Sequence, residues 1–157
     1  MKIQIANKKM IDDATVIWPE ASPDVDMVID PRPPHGLKFR EDSVEAIYEF
    51  GILGLTEPKD VGKVLSDFYK ILAPKGQLYL TEHDFDYVNR AYLGGDIPIK
   101  ELNGHFHQRT HLNQEMIVEL CVLAGFPEKD MRTWSGGLKF EKKHFEVVLS
   151  ATKPLLK

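Results

Sequence analysis

Hydrophobic and polar positions change period several times along the chain. Ile3 and Ile5 alternate with their neighbours over residues 2–6, residues 15–18 are β-branched and aromatic, and a third short apolar run covers residues 27–29. Each predicts a strand of a few residues. Residues 44–55 begin as a strand and loosen at Gly51 and Gly54. Over residues 59–72 the spacing lengthens. Val61, Val64, Leu65, Phe68, Ile71 and Leu72 follow the steps of a one-sided helix. Pro58 suits its first turn and Pro74 prevents its continuation. Gly76 leads into a strand over 77–82 that ends in a polar cluster. A second helix is predicted over 114–124, with Asn113 as N-cap, Ile117, Leu120, Cys121 and Ala124 on one face, and Gly125 just past its end. The tail reads as two strands, 131–140 and 144–152, joined by a charged turn at Glu141, Lys142 and Lys143.

Short strands come first, then strand and helix alternate, then a hairpin closes the chain. That order predicts an α/β fold, a mostly parallel sheet with an antiparallel edge. One spacing strains it: only residues 7–14 separate the first two strands, whereas a parallel crossover normally takes about a dozen residues. Either this connection is minimal or one strand is misread.

Composition narrows the class. The chain has 157 residues, 43% of them hydrophobic, which suits one globular domain over residues 1–157. There are 20 basic and 24 acidic residues, a net charge of −4. That balance argues against a generic nucleic-acid binder and leaves a local basic patch open. No apolar run reaches membrane-spanning length and the start lacks a signal-peptide core, so a cytoplasmic location without membrane attachment is expected. The single Cys121 excludes an internal disulfide and a multi-thiolate metal site.

Several stretches carry a family resemblance. Leu37-Lys38-Phe39-Arg40-Glu41-Asp42-Ser43-Val44-Glu45-Ala46-Ile47-Tyr48 resembles the LPF-x-DNS-x-D-x-IY lead-in to the fourth strand of class I S-adenosylmethionine (SAM)-dependent methyltransferases. The run from Val64 to Leu78 resembles their E-x-x-RVLKPGG-x-L helix, turn and fifth strand, and Leu120 to Phe126 their LL-x-x-AGF. Tyr92-Leu93-Gly94-Gly95-Asp96, followed by His105, resembles the insert of a compact subgroup often encoded with polysaccharide genes. The resemblance implies a Rossmann-like class I methyltransferase fold with a shortened N-terminal part and a polar insert over 85–111. It also implies SAM as cofactor and a small molecule or saccharide as methyl acceptor.

Carried onto this chain, the family's site places the donor against Ala6 and Asn7, Glu20, Asp30 and the segment Glu49, Phe50 and Gly51. His83 or His105 is the candidate general base. The chain departs from the pattern at the first step. Where the family shows G-x-G, it reads Ala6-Asn7-Lys8-Lys9, and no glycine precedes Gly36. Trp18 stands where the second strand should end in an acid, and Glu20 substitutes only if that end shifts by two residues. After the fourth strand Gly51-Ile52-Leu53-Gly54-Leu55 replaces the relatives' H-x-L-E-H.

Two functions therefore stand side by side: a working methyltransferase, and a degenerate relative serving as an interaction or assembly module, with a homo-oligomer or another protein as partner. A third reading is a metal-binding protein, because His83, His105, His107 and His111 lie close in sequence with Asp84 and Asp86 nearby. No recognised metal motif accompanies them, and polar turns use histidines in the same way.

Overall fold

The computed structural model describes residues 1–96, 98, 100, 108–135 and 146–155. Seven strands form one sheet: β1 (Lys2–Ile5), β2 (Thr15–Trp18), β3 (Met27–Val28), β4 (Val44–Phe50), β5 (Leu72–His83), β6 (Met131–Ser135) and β7 (Glu146–Thr152). Their order is β3-β2-β1-β4-β5-β7-β6. The first five run parallel, and β7 lies antiparallel between β5 and β6. Three α-helices are described: α1 (Pro58–Ile71), α2 (Phe85–Leu93) and α3 (Gln114–Ala124).

The strained crossover is real and minimal. β1 and β2 pair in parallel with no helix between them. Gln4, fully buried in β1, makes this workable. Its Nε2 donates to the Lys8 carbonyl at 2.5 Å, and its Oε1 accepts from the Met10 and Ile11 N–H groups at 3.0 and 2.8 Å. The β2–β3 connection is as short, held by Val16 N–H donating to Asp26 Oδ2 at 2.8 Å. Neither connection leaves room for the helix that usually covers a parallel sheet.

Helices α1 and α3 cover one face of the sheet. Ile3, Ile5, Ile47, Leu78 and Leu80 form one core with Val64, Leu65 and Phe68 of α1 and Ile117 and Cys121 of α3. Their neighbours along the strands, Gln4, Tyr48, Tyr79 and Ser150, point away from that core, as the strand's two-residue period requires.

One expectation needs correction, the start of β5. β5 starts at Leu72, directly after α1, and not at Gln77. Leu72 pairs with Val44, and the register then jumps to Ala46 opposite Gln77, so the Pro74-Lys75-Gly76 stretch bulges with Lys75 at φ 66°. The polar insert begins as a helix: Asp84 accepts from the Tyr87 N–H and α2 buries Val88 and Ala91. The strand expected over 131–140 is described as far as Ser135. The charged turn and Gly136 onward, to residue 145, lie outside the described residues. Gly125 does close α3, at φ 113°.

Lys153 locks the C-terminal strand to the end of α1. Only 5% exposed, its Nζ bonds Asp42 Oδ1 at 2.7 Å and the Leu72 and Tyr69 carbonyls at 2.8 and 2.9 Å. It also sits 4.8 Å from the Tyr69 ring centre. The cation thus serves carbonyls left over at the helix C-terminus, where positive charge is favoured. No described helix is long and apolar enough to cross a membrane.

Candidate functional site at the carboxyl edge of the sheet

Open parallel sheets place ligands beyond the carboxyl ends of their strands, at the point where strand order reverses. Here that point lies between β1 and β4, where Ile5 pairs with Glu49. The topology gathers Ala6, Asn7, Glu20, Asp30, Phe50 and Gly51 along this one edge.

Ala6 and Asp30 are engaged within the protein, whereas Asn7 and Glu20 are exposed. Ala6 is 3% exposed and its N–H donates to the Ile17 carbonyl at 3.2 Å, which prolongs the ladder past β1. Asn7 is exposed, and its carbonyl accepts from Ser22 Oγ at 3.3 Å. The loop that follows folds back on Gln4. Glu20 is exposed two residues beyond β2, while Trp18 packs partly buried against the core. Asp30 is held by Arg32 through Nε at 2.8 Å, Nη2 at 2.9 Å and the backbone N–H at 2.9 Å. Burial pushes the Asp30 carboxyl up, but these Arg32 bonds outweigh it and hold it below its ordinary value. Arg32 Nη1 reaches on to the Leu55 carbonyl at 3.2 Å, tying the end of β3 to the loop after β4.

That loop is closed over two carboxyl groups. Gly51 sits at φ 85°, a conformation that suits glycine, and its N–H donates to the Thr81 carbonyl at 3.0 Å. The reversal aims the next amides back at the sheet. Ile52 N–H donates to Glu49, and Leu53 N–H donates to Glu82 Oε1 at 2.9 Å. Glu49 is fully buried and Glu82 is 1% exposed. Burial, then the charge of Glu82, hold the Glu49 carboxyl well above its ordinary value. Glu49 Oε2 is buried without a hydrogen-bond partner. Ile52 and Leu53 themselves are fully buried. Thr110 Oγ1 donates to the Thr56 carbonyl at 2.5 Å and Thr110 N–H to the Gly54 carbonyl at 3.0 Å, which straps the loop from its far side.

Two grooves open beside β3. One, of about 430 Å³, is lined by Met27, Val28, Ile29, Asp30, His35 and Phe39 among others. A smaller one, of about 240 Å³, runs from Asp30 and Arg32 to Thr56 and Arg109. Of the sequence-identified donor-site residues, Asp30 alone lines either groove.

The histidines are spread. His83 ends β5, on the sheet face opposite Glu82, and pairs with Glu146. His111 stacks on Phe85, ring centres 4.3 Å apart. His105 and His107 lie outside the described residues. Among the described residues no group of three His, Cys, Asp or Glu side chains could hold a metal. Cys121 is buried and its thiol is pushed up to about 12 by that burial, so it is no nucleophile.

Sequence reasoning missed Gln4, Arg32 and Glu82. Gln4 carried a signal, a lone polar residue inside an apolar alternation. Glu82 reads in the sequence only as part of the polar end of β5.

Comparison with known proteins places the fold. No family model and no curated protein matches the sequence. Solved structures do. A SAM-dependent methyltransferase from Methanosarcina mazei is 14% identical, with a TM-score of 0.56 over 91% of this chain and 84% of that one. A chain of the complex containing the Haloferax volcanii Trm112 methyltransferase activator gives 14%, 0.56, and 93% against 64%. A SAM-dependent methyltransferase from Thermotoga maritima gives 18%, 0.54, and 74% against 59%. The chain thus spans less than two thirds of the Thermotoga and Haloferax chains. With the strand order, these likenesses define a Rossmann-like methyltransferase fold, a mainly parallel sheet with an antiparallel C-terminal pair.

Proposed function

We propose that this chain is a methyltransferase-fold domain that has given up the methyl donor and acts by binding a partner. The observation that carries the reading is Gln4. At the turn where the fold family opens a glycine cradle, this side chain occupies the backbone amides of Met10 and Ile11 and draws the loop onto the sheet. Amides bonded inside the protein have nothing left to offer a ligand carboxylate. Two other donor-facing groups follow suit: both Asp30 oxygens are taken by Arg32, and Glu49 faces the amide of Ile52. The residues present do not fit the cofactor, and no methyl-transfer step is assigned to them. In this reading His83 and His105 are not bases.

A working methyltransferase is the second reading. It is favoured by Asp30 standing at the end of β3 beside an apolar groove, with Ala6, Asn7, Glu20, Glu49, Phe50 and Gly51 completing the donor site and a small molecule or saccharide as acceptor.

Thermal unfolding with S-adenosylhomocysteine separates the two. A ligand at 100 times its Kd adds about 2.7 kcal/mol to stability, a rise of roughly 5–10 °C for a domain of this size. The melting temperature is expected to stay unchanged at millimolar ligand; a rise of several degrees would contradict the proposal.

A further inference from the structure

The sheet face opposite α1 and α3 carries its own chemistry. One register row crosses it as Tyr48, Tyr79, Ser150 and Arg132, and a neighbouring row as Gln77 and Thr152. The Tyr48 and Tyr79 rings stack with centres 5.0 Å apart and planes 3° from parallel. Trp134, two residues beyond Arg132 and 36% exposed, lies on the same face. A groove of about 600 Å³ runs over Tyr79, Ser150 and Thr152, with Lys75, Lys129 and Arg132 along it. None of these three cations makes an ion pair among the described residues. Lys153 also lines the groove, but its charge is spent on Asp42. Asp130 is the one acid in the lining. A protein of net charge −4 thus brings cations without an ion pair among the described residues, hydroxyl donors and aromatic rings together on this face.

We propose that this face binds single-stranded nucleic acid, with phosphates along Lys75, Lys129 and Arg132 and bases on the aromatic rings. Unpaired bases stack on sheet-borne aromatics, and a cationic groove tracks the backbone. A two-fold pairing of two copies through the same face would bring these cations against one another, which disfavours self-association there. The proposal names the partner of the binding module and rests on that reading. Oligonucleotide and methyl donor are titrated separately, so failure of one reading is told from failure of the other.

The test is fluorescence anisotropy with a labelled oligothymidine of about 12 nucleotides on the full chain. Three phosphate contacts predict a log–log salt slope near −2, or roughly twentyfold weaker binding between about 50 and 200 mM salt. Arg132→Glu with Lys75→Glu, both at exposed positions, and separately Trp134→Ala, are each expected to weaken binding about tenfold or more while circular dichroism shows the fold retained. Three results would overturn the proposal: no binding at the lower salt, binding indifferent to the charge reversals, or inorganic polyphosphate binding as tightly as the oligonucleotide. A solution dimer dissolved by Arg132→Glu would overturn it as well, because a second copy would then cover the face.

Discussion

Replacing Glu49 by glutamine is expected to make the protein more stable above neutrality, although the residue is fully buried and hydrogen-bonded. Burial and the adjacent Glu82 charge raise the Glu49 carboxyl well above its ordinary value of 4.5. In the folded protein it therefore keeps its proton at pH values where the unfolded chain has lost it. Below the ordinary value both states are protonated and the stability contribution is complete. As pH rises toward the raised folded value, stability falls, by up to about 1.4 kcal/mol per pH unit. Glutamine keeps an oxygen for the Ile52 N–H and has no proton to lose. Denaturant unfolding between pH 5 and 8 should show the wild type losing stability relative to Glu49→Gln, with the difference widening as pH rises. Parallel curves would mean that Glu49 ionises normally.

A second large effect is expected at Lys153. Its ammonium serves Asp42 and the Tyr69 and Leu72 carbonyls at 2.7–2.9 Å while nearly excluded from water. Lys153→Met preserves the stem and removes the charge, leaving those carbonyls without their donor. Breaking a buried ionic network costs about 3–5 kcal/mol; with Asp42 partly exposed, about 3 kcal/mol is expected, a fall of roughly 6–12 °C in melting temperature. Lys129→Met, at an exposed position, should change stability by less than about 0.5 kcal/mol. Equal melting temperatures for the two variants would show that Lys153 is not a structural cation.

The elements that could be read from the sequence are those with a strong period. β2 and α3 have the expected bounds, and α1 begins one residue earlier than its apolar stripe suggests, because Pro58 itself occupies the first turn. α2 was hidden because it buries only Val88 and Ala91, too narrow a stripe to stand out of a polar stretch. The early start of β5 was hidden by Pro74, Lys75 and Gly76, which have turn chemistry yet bulge within a strand. At the carboxyl edge, the sequence exposed the missing glycines but not what replaced them. Gln4 becomes legible only when the following loop has a shape, since its partners are backbone groups. Glu49 and Glu82 are far apart in sequence and meet because β4 and β5 pair, with Glu49 opposite Leu80. Asp30 was identified by position, whereas its engagement by Arg32 depends on the turn through Pro31.

The central claim is that the fold's donor site is closed by its own side chains. Calorimetric titration with SAM and S-adenosylhomocysteine tests it most directly, on the wild type and on Ala6→Gly with Lys8→Gly. Neither protein should release or absorb heat of binding at millimolar ligand, because Gln4 still holds the loop amides and Arg32 still holds Asp30. Saturable binding by the wild type, or binding gained on restoring the two glycines alone, would contradict the account and return this chain to the working methyltransferases.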